Sequence, residues 1–273
     1  MQTARGGGPR QEREVPQIGG QLDDERCKEV ISFMNQSSDG KIIIQKMKDT
    51  FEYRQPLIHN PDESHTVLSV FPRLLDTKGL IHQDFSLLFG PETSAKLLGK
   101  WHTVYKCKVI REAESLTNTT VLQSLLRSAR NQHDDGCPEW DSDIASFYSC
   151  ISYHLSLLKR KHRRSVQSCR SQDEHIENQE GHQQPYLLVS GTCKQAISMY
   201  YIVIDKKLIP CQGTKSMAAV DELFKVHFVF SVSYDAALNN MYTFLQTTVY
   251  GVDVDATKES PKVKELRAKL NRS

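Results

Sequence analysis

Residues 186–209, YLLVSGTCKQAISMYYIVIDKKLI, decide the fold class. Tyr186-Leu187-Leu188-Val189 and the run Ile197 to Ile204 are short, apolar, rich in β-branched and aromatic side chains, and bounded by turn residues. Such side chains fit a pleated surface and lose rotamer freedom in a helix. Asp205-Lys206-Lys207 makes a tight reversal into Leu208-Ile209, and Gly191 lies near the first reversal, so the simplest arrangement is a three-stranded antiparallel meander. Downstream, Ala218 to Lys225 reads as a helix and Phe228-Val229-Phe230 as a short strand. Tyr234 to Tyr250 reads as a final helix that buries Leu238, Met241, Phe244 and Leu245. The charged stretch from Thr257 reads as a solvated tail.

Upstream the period changes from two to about 3.6 residues. Asp23 and Asp24 can start a helix through Val30, Ile31 and Met34; Ser37-Ser38-Asp39-Gly40 ends it and can start another. That second helix places Ile42, Ile43, Met47 and Phe51 on one face and is expected to end before Pro56. Val67 to Phe89 is the most strongly apolar stretch of the front half and reads as short helices around Pro72. A longer helix, a central strut, is expected from Pro91 through Trp101 towards Leu116. Thr117 or Asn118 can cap another through Val121, Leu122, Leu125 and Leu126, and a loop follows from Ser128 to Pro138. From Asp141, Ile144, Phe147, Ile151, Leu155 and Leu158 mark one more amphipathic helix.

The expected class is therefore α+β, a helical N-terminal part followed by a small antiparallel β-meander packed with two helices. The expected organisation is a disordered leader at 1–20, a helical part at 21–158, a basic and polar linker at 159–184, a small α+β part at 185–252 and a charged tail at 253–273. The two folded parts should pack as one composite body, because a unit as small as the second has little core of its own.

Thirty-five Lys and Arg against thirty-three Asp and Glu leave +2, too even a balance to imply a nucleic-acid or membrane partner by bulk charge. The N-terminus lacks an apolar signal region, and no stretch is apolar for long enough to span a bilayer. The seven cysteines are scattered with no C-x-x-C pair, which fits free thiols in a reducing compartment. The expected setting is intracellular, cytoplasm or nucleus, with no membrane contact. Without a signal peptide, the sequons at Asn35 and Asn118 carry no weight.

Leu75 to Trp101, LDTKGLIHQDFSLLFGPETSAKLLGKW, and Asp221 to Gly251, DELFKVHFVFSVSYDAALNNMYTFLQTTVYG, resemble an expanded group of fish proteins labelled sterile alpha motif domain-containing protein 3-like. With QPYLLVSGTCKQAISMYYIVIDKKLIPCQ between them, the similarity spans about two thirds of the chain. The sterile alpha motif itself lies upstream of this shared region where those proteins possess one, and this chain carries no convincing copy of it. The resemblance implies no activity, and it shows a shorter, more polar counterpart over Lys159 to Gln184.

Among candidate sites, Lys159, Arg160, Lys161, Arg163 and Arg164 are the sharpest feature: five permanent cations in six residues suit nuclear import or a phosphate backbone. A solvated charge run closing a helix explains them as well. Cys150, His154, His162 and Cys169 are of the types zinc takes, but their spacing matches no common zinc module. Asp205 at a strand end, with Asp221, Glu222, Asp235 and Asp253 as partners, is the pattern of a two-metal nuclease; hairpin chemistry is the simpler account. Gly213-Thr214-Lys215-Ser216 lacks the earlier glycine and the Gly-Lys-Ser order of a phosphate-binding loop. No catalytic, cofactor or metal site is assigned. The expected function is a non-enzymatic interaction or scaffold protein with an unidentified protein partner; the alternative is a nuclear, nucleic-acid-associated regulator using the basic cluster.

Overall fold

The computed structural model describes residues 7–10, 13, 16, 22–116, 119–130, 142–147, 149, 166–168, 184–193 and 196–272. Helix α1 (Asp24–Gln36) starts where the Asp23 carboxylate accepts from the Arg26 amide at 2.8 Å, and α2 (Gly40–Asp49) starts where Asp39 does the same for Lys41 at 2.8 Å. The C-terminus of α1 is closed from outside: the Arg73 guanidinium donates to the carbonyls of Met34 (3.0 Å), Asn35 (2.7 Å) and Ser37 (2.7 Å). These are acceptors that a helix end leaves unsatisfied, and a cation suits the negative end of its dipole.

The chain breaks at Thr50 rather than before Pro56, which rides inside α3 (Phe51–His59). Proline there forgoes a ladder bond; burial of Phe51, Arg54, Gln55 and Ile58 along the same short helix offsets the loss. The expected short helices follow: α4 (Val67–Val70) between two 3₁₀ turns, Ser64–Thr66 and Pro72–Leu75, then α5 (Leu80–Phe89), framed by Gly79 and Gly90 at positive φ. The expected long strut is instead α6 (Pro91–Ser94), α7 (Lys96–Lys100), a π-helical turn (Trp101–Tyr105) and α8 (Lys106–Glu114). A π turn shifts the helical register. Here Trp101, opening that turn, is 1% exposed, and its ring lies 5.9 Å from that of Phe147. Helix α9 (Thr120–Ala129) is capped by Thr119, one or two residues beyond the expected caps, and α10 is Ser142–Phe147.

The meander is present as β2 (Tyr186–Cys193), β3 (Ala196–Ile204) and β4 (Lys207–Pro210), antiparallel throughout, and the class is α+β as expected. A three-residue strand, β1 (Val166–Ser168), adds to β2 in parallel, inside the stretch expected to be a basic and polar linker. Asp205 (φ 46°) and Lys206 (φ 61°) form the two-residue β3–β4 turn, both left-handed, the geometry that matches strand twist.

Beneath the sheet runs α11 (Ser216–Val229), buried on nearly every side. It absorbs Phe228 and Val229, expected as strand, because Phe224 and Phe228, one turn apart, both meet the Phe85 ring of α5, at 6.3 and 5.6 Å. Tertiary packing overrides the β propensity of Phe-Val-Phe. Helix α12 (Asn239–Phe244) continues as a π turn (Leu245–Tyr250) and ends at Gly251, whose φ of 66° suits glycine. The expected solvated tail contains α13 (Pro261–Arg272), with Val263, Leu266 and Leu270 buried.

One hydrophobic cluster runs from Met34 to Leu270 and takes residues from the front helices, the sheet and the last three helices. From the sheet come Leu187, Val189, Ile202 and Ile204, while Leu188 and Val203 pack with Tyr186 in a small second cluster, the alternation a strand imposes. Residues 7–10 and 13, in the stretch expected to be a disordered leader, lie against this body. Gly7 donates to Asn239 Oδ1 at 2.8 Å and accepts from the Tyr234 amide at 2.8 Å; Arg13 pairs with Asp253 at 2.5 Å.

Candidate functional site

Helix α11 carries Asp221, Glu222, Lys225 and His227 in the interior, and side chains that costly to bury need partners. Lys225 Nζ donates to Asp221 Oδ2, one turn back, at 2.5 Å and to His82 Nδ1 on α5 at 3.0 Å, and lies 5.5 Å from the Phe85 ring centre. The other Asp221 oxygen accepts the Tyr250 hydroxyl, and the Tyr250 ring stacks on Phe224 at 4.4 Å. Lys96 Nζ reaches the Tyr250 carbonyl at 2.5 Å. Burial, reinforced by Lys225, holds the His82 imidazole below its ordinary pKa, so its Nδ1 is an acceptor. Burial and the Asp221 charge hold the Tyr250 hydroxyl well above its usual range, so it stays a donor.

Three further buried groups are spent on structure. The Glu222 carboxylate accepts from the amides of Gln212 (3.0 Å) and Gly213 (2.7 Å); burial raises its pKa against those two bonds. Arg54 binds both oxygens of Asp84 (2.8 and 2.7 Å), the Met47 carbonyl (2.6 Å) and the Thr50 hydroxyl (2.9 Å), and burial raises the Asp84 pKa against the pull of Arg54. His227 sits among Tyr234 and Tyr242, its Nδ1 3.2 Å from the Val232 carbonyl; burial pushes its pKa down to about 4. General acid–base chemistry needs such a group within reach of a reacting atom. Asp84, Asp221, Glu222 and Lys225 are instead engaged by neighbouring side chains and main-chain amides, His227 keeps its Nε2 without a hydrogen-bond partner among the described residues, and Asp84, Asp221, Lys225 and His227 are at most 1% exposed.

The basic cluster of Lys159, Arg160, Lys161, Arg163 and Arg164 lies outside the described residues, as do Cys150, His154, His162 and Cys169. Asp205 serves the β3–β4 turn. Its imagined partners are engaged apart: Asp221 with Lys225 and Tyr250, Glu222 with the loop amides, Asp235 with the Ala237 amide at 2.6 Å, and Asp253 with Arg13. Among the described residues, no three or more His, Cys, Asp or Glu are placed to hold a metal ion. The Gly213-Thr214-Lys215-Ser216 segment leads into α11, and the Glu222 carboxylate takes the Gln212 and Gly213 amides that an anion-binding loop would offer to a ligand. The Lys225 network was missed from the sequence. Its visible signal was an Asp and a Lys four apart inside an otherwise apolar helix.

Surface apolar groups are the remaining candidates. On α5, Leu80, Ile81 and Phe85 are buried, so that segment supplies no exposed apolar face from them. Exposed large side chains occur instead at Phe33 (53%) on α1 and at Ile42 and Ile44 on α2, on either side of the Ser37–Asp39 link. No helix among the described residues is long and apolar enough to cross a membrane.

Residues 21–77 match the family model described as sterile alpha motif domain-containing protein 3, helical domain. The match bears out the family resemblance, and it runs from the start of α1 through the second 3₁₀ turn, largely ahead of the Leu75–Trp101 segment that first carried it. No curated protein and no solved structure matches the chain.

Proposed function

We propose that this chain, which carries a helical domain of the sterile alpha motif domain-containing protein 3 kind at residues 21–77, is an intracellular, non-enzymatic interaction or scaffold protein. The observation that carries this reading is the exposure of Phe33, Ile42 and Ile44. Single exposed apolar residues are ordinary, but three within twelve residues, around one interhelical link and inside the matched domain, are a denser set than solubility favours. Engagement of the buried carboxylates and Lys225 by neighbouring side chains and main-chain amides supports the same reading. The test captures binding proteins from cells that express the chain, comparing wild type with Phe33→Ser, Ile42→Ser, Ile44→Ser at equal folded fraction. The reading expects a protein retained by wild type and lost from the variant. An identical retained set from both counts against it.

A second reading rests on the five cations of Lys159 to Arg164. In it the chain is a nuclear protein that contacts nucleic acid through that cluster. It expects binding to mixed DNA and RNA that weakens steeply with salt and is largely lost when Lys159, Arg160, Lys161, Arg163 and Arg164 are changed to Ala. Absence of binding at low salt removes it.

A further inference from the structure

Where residues 7–10 and 13 lie on the body, leader and body together build a cleft. Pro9, Arg10 and Arg13 line it from the leader; Gln55 and His59 of α3 and Ser231, in the turn after α11, line it from the body. No carboxylate lines it. Arg13 pairs outside it, through Nη2, with Asp253 at 2.5 Å, and its guanidinium lies 4.3 Å over the Phe89 ring. A guanidinium has further donors to give. Arg10 is exposed, and no carboxylate pairs with it among the described residues. The cleft therefore gathers more positive charge than the chain itself balances there.

The body's half alone would repel an anion. Helix α3 ends at His59 and α11 at Val229, and the C-terminal end of a helix is the negative pole of its dipole. The permanent positive charge comes from the leader, so the site is complete only while the leader is docked. The other lining groups narrow the choice of anion. The Ser231 hydroxyl and the Gln55 amide can each donate. His59 Nδ1 lies 2.8 Å from the Gln55 carbonyl, which only accepts, so Nδ1 donates and Nε2 of the neutral ring is left as an acceptor. An anion that suits two guanidiniums and an imidazole acceptor carries negative charge and a proton together, as hydrogen phosphate does. The enclosed space is about 10 Å³, room for about one water-sized centre. One phosphate oxygen fills it, and the others stay at the mouth, within reach of the exposed Arg10.

We propose that this cleft binds a phosphate group, as the free ion or as a monoester, and that the bound phosphate clamps the leader to the body. A ligand that binds only the docked arrangement shifts the chain towards it. The test titrates the full-length chain at pH 7 with inorganic phosphate, O-phosphoserine and sulfate, followed by calorimetry. Two variants accompany it. Arg10→Ala removes an exposed side chain, and Ser231→Gly removes the hydroxyl at a φ of 50° that glycine adopts freely, so both spare the fold.

Wild type should bind phosphate saturably, Arg10→Ala about tenfold or more weakly and Ser231→Gly about threefold more weakly. Sulfate, with no proton to give at this pH, should bind at least about threefold more weakly than phosphate. Tighter binding of inorganic phosphate than of O-phosphoserine assigns the free ion, and the reverse order a phosphorylated side chain; both support the site. The clamp is read by trypsin cleavage after Arg10 and Arg13. Saturating phosphate should slow it about fivefold or more in the full-length chain and leave a free peptide of residues 1–16 unaffected. No saturable binding up to about 10 mM, equal binding by Arg10→Ala, sulfate as tight as phosphate, or a cleavage rate that phosphate leaves unchanged each overturns the proposal.

Discussion

Lys225 has no exposed surface, and Asp221 and His82 face its ammonium. Removing one member of a buried pair leaves the other charged and unpaired, which is worse than having neither. Lys225→Met is therefore expected to cost about 3–5 kcal/mol, read as a shift in the urea midpoint. The triple change Asp221→Leu, Lys225→Met, Tyr250→Phe should recover most of that loss; a triple variant no more stable than the single one would refute the account. His227 sets a pH dependence. Its folded pKa, about 4, is depressed below the ordinary 6.5, so the unfolded chain takes a proton first as pH falls. Stability is then full above about 6.5 and declines towards pH 4, by on the order of 3 kcal/mol. His82, also depressed, acts in the same direction. The urea midpoint should fall between pH 7 and pH 5, and His227→Phe should make that fall shallower. The four-residue spacing of Asp221 and Lys225 was visible in the sequence, but their partners His82 and Tyr250 were not, because His82 and Lys225 are 143 residues apart and periodicity reports only which face is buried.

Elements were legible where local chemistry and packing agree. Asp23, Ser37 and Asp39 mark real helix ends because a cap is a contact within three residues. The meander was legible because alternation and the Asp205-Lys206 turn are also local. Phe228 to Phe230 misled, since an aromatic β-prone triplet carries no sign that Phe85 waits one helix away. Helix α13 misled for the opposite reason: its three buried residues, Val263, Leu266 and Leu270, are outnumbered by Lys, Arg and Glu on the exposed faces. Leu266 is fully buried, and Leu266→Ala should cost about 2–5 kcal/mol, measured as a lowered thermal midpoint. A change below about 0.5 kcal/mol would return that stretch to a solvated tail. At the β3–β4 turn, Asn-Gly in place of Asp205-Lys206 should raise stability by about 0.5–1 kcal/mol, because Lys206 holds a φ of 61° that glycine adopts freely.

For the molecule as a whole, a shared core is the decisive feature. The front helices and the small α+β part contribute to one cluster, as expected for a unit too small to be stable alone. Chemical unfolding should give a single transition, coincident by circular dichroism and by fluorescence of the Trp101 environment; two separated transitions would divide the body. The Arg13–Asp253 pair spans 240 positions. During synthesis the leader segment leaves the ribosome long before α11, Asn239 and the Asp253 turn exist, so the surface it packs on is made late. For most of the time the chain is being translated, residues 7–10 and 13 have no such surface to pack on, and the finished protein withdraws them only when its own C-terminal third has folded.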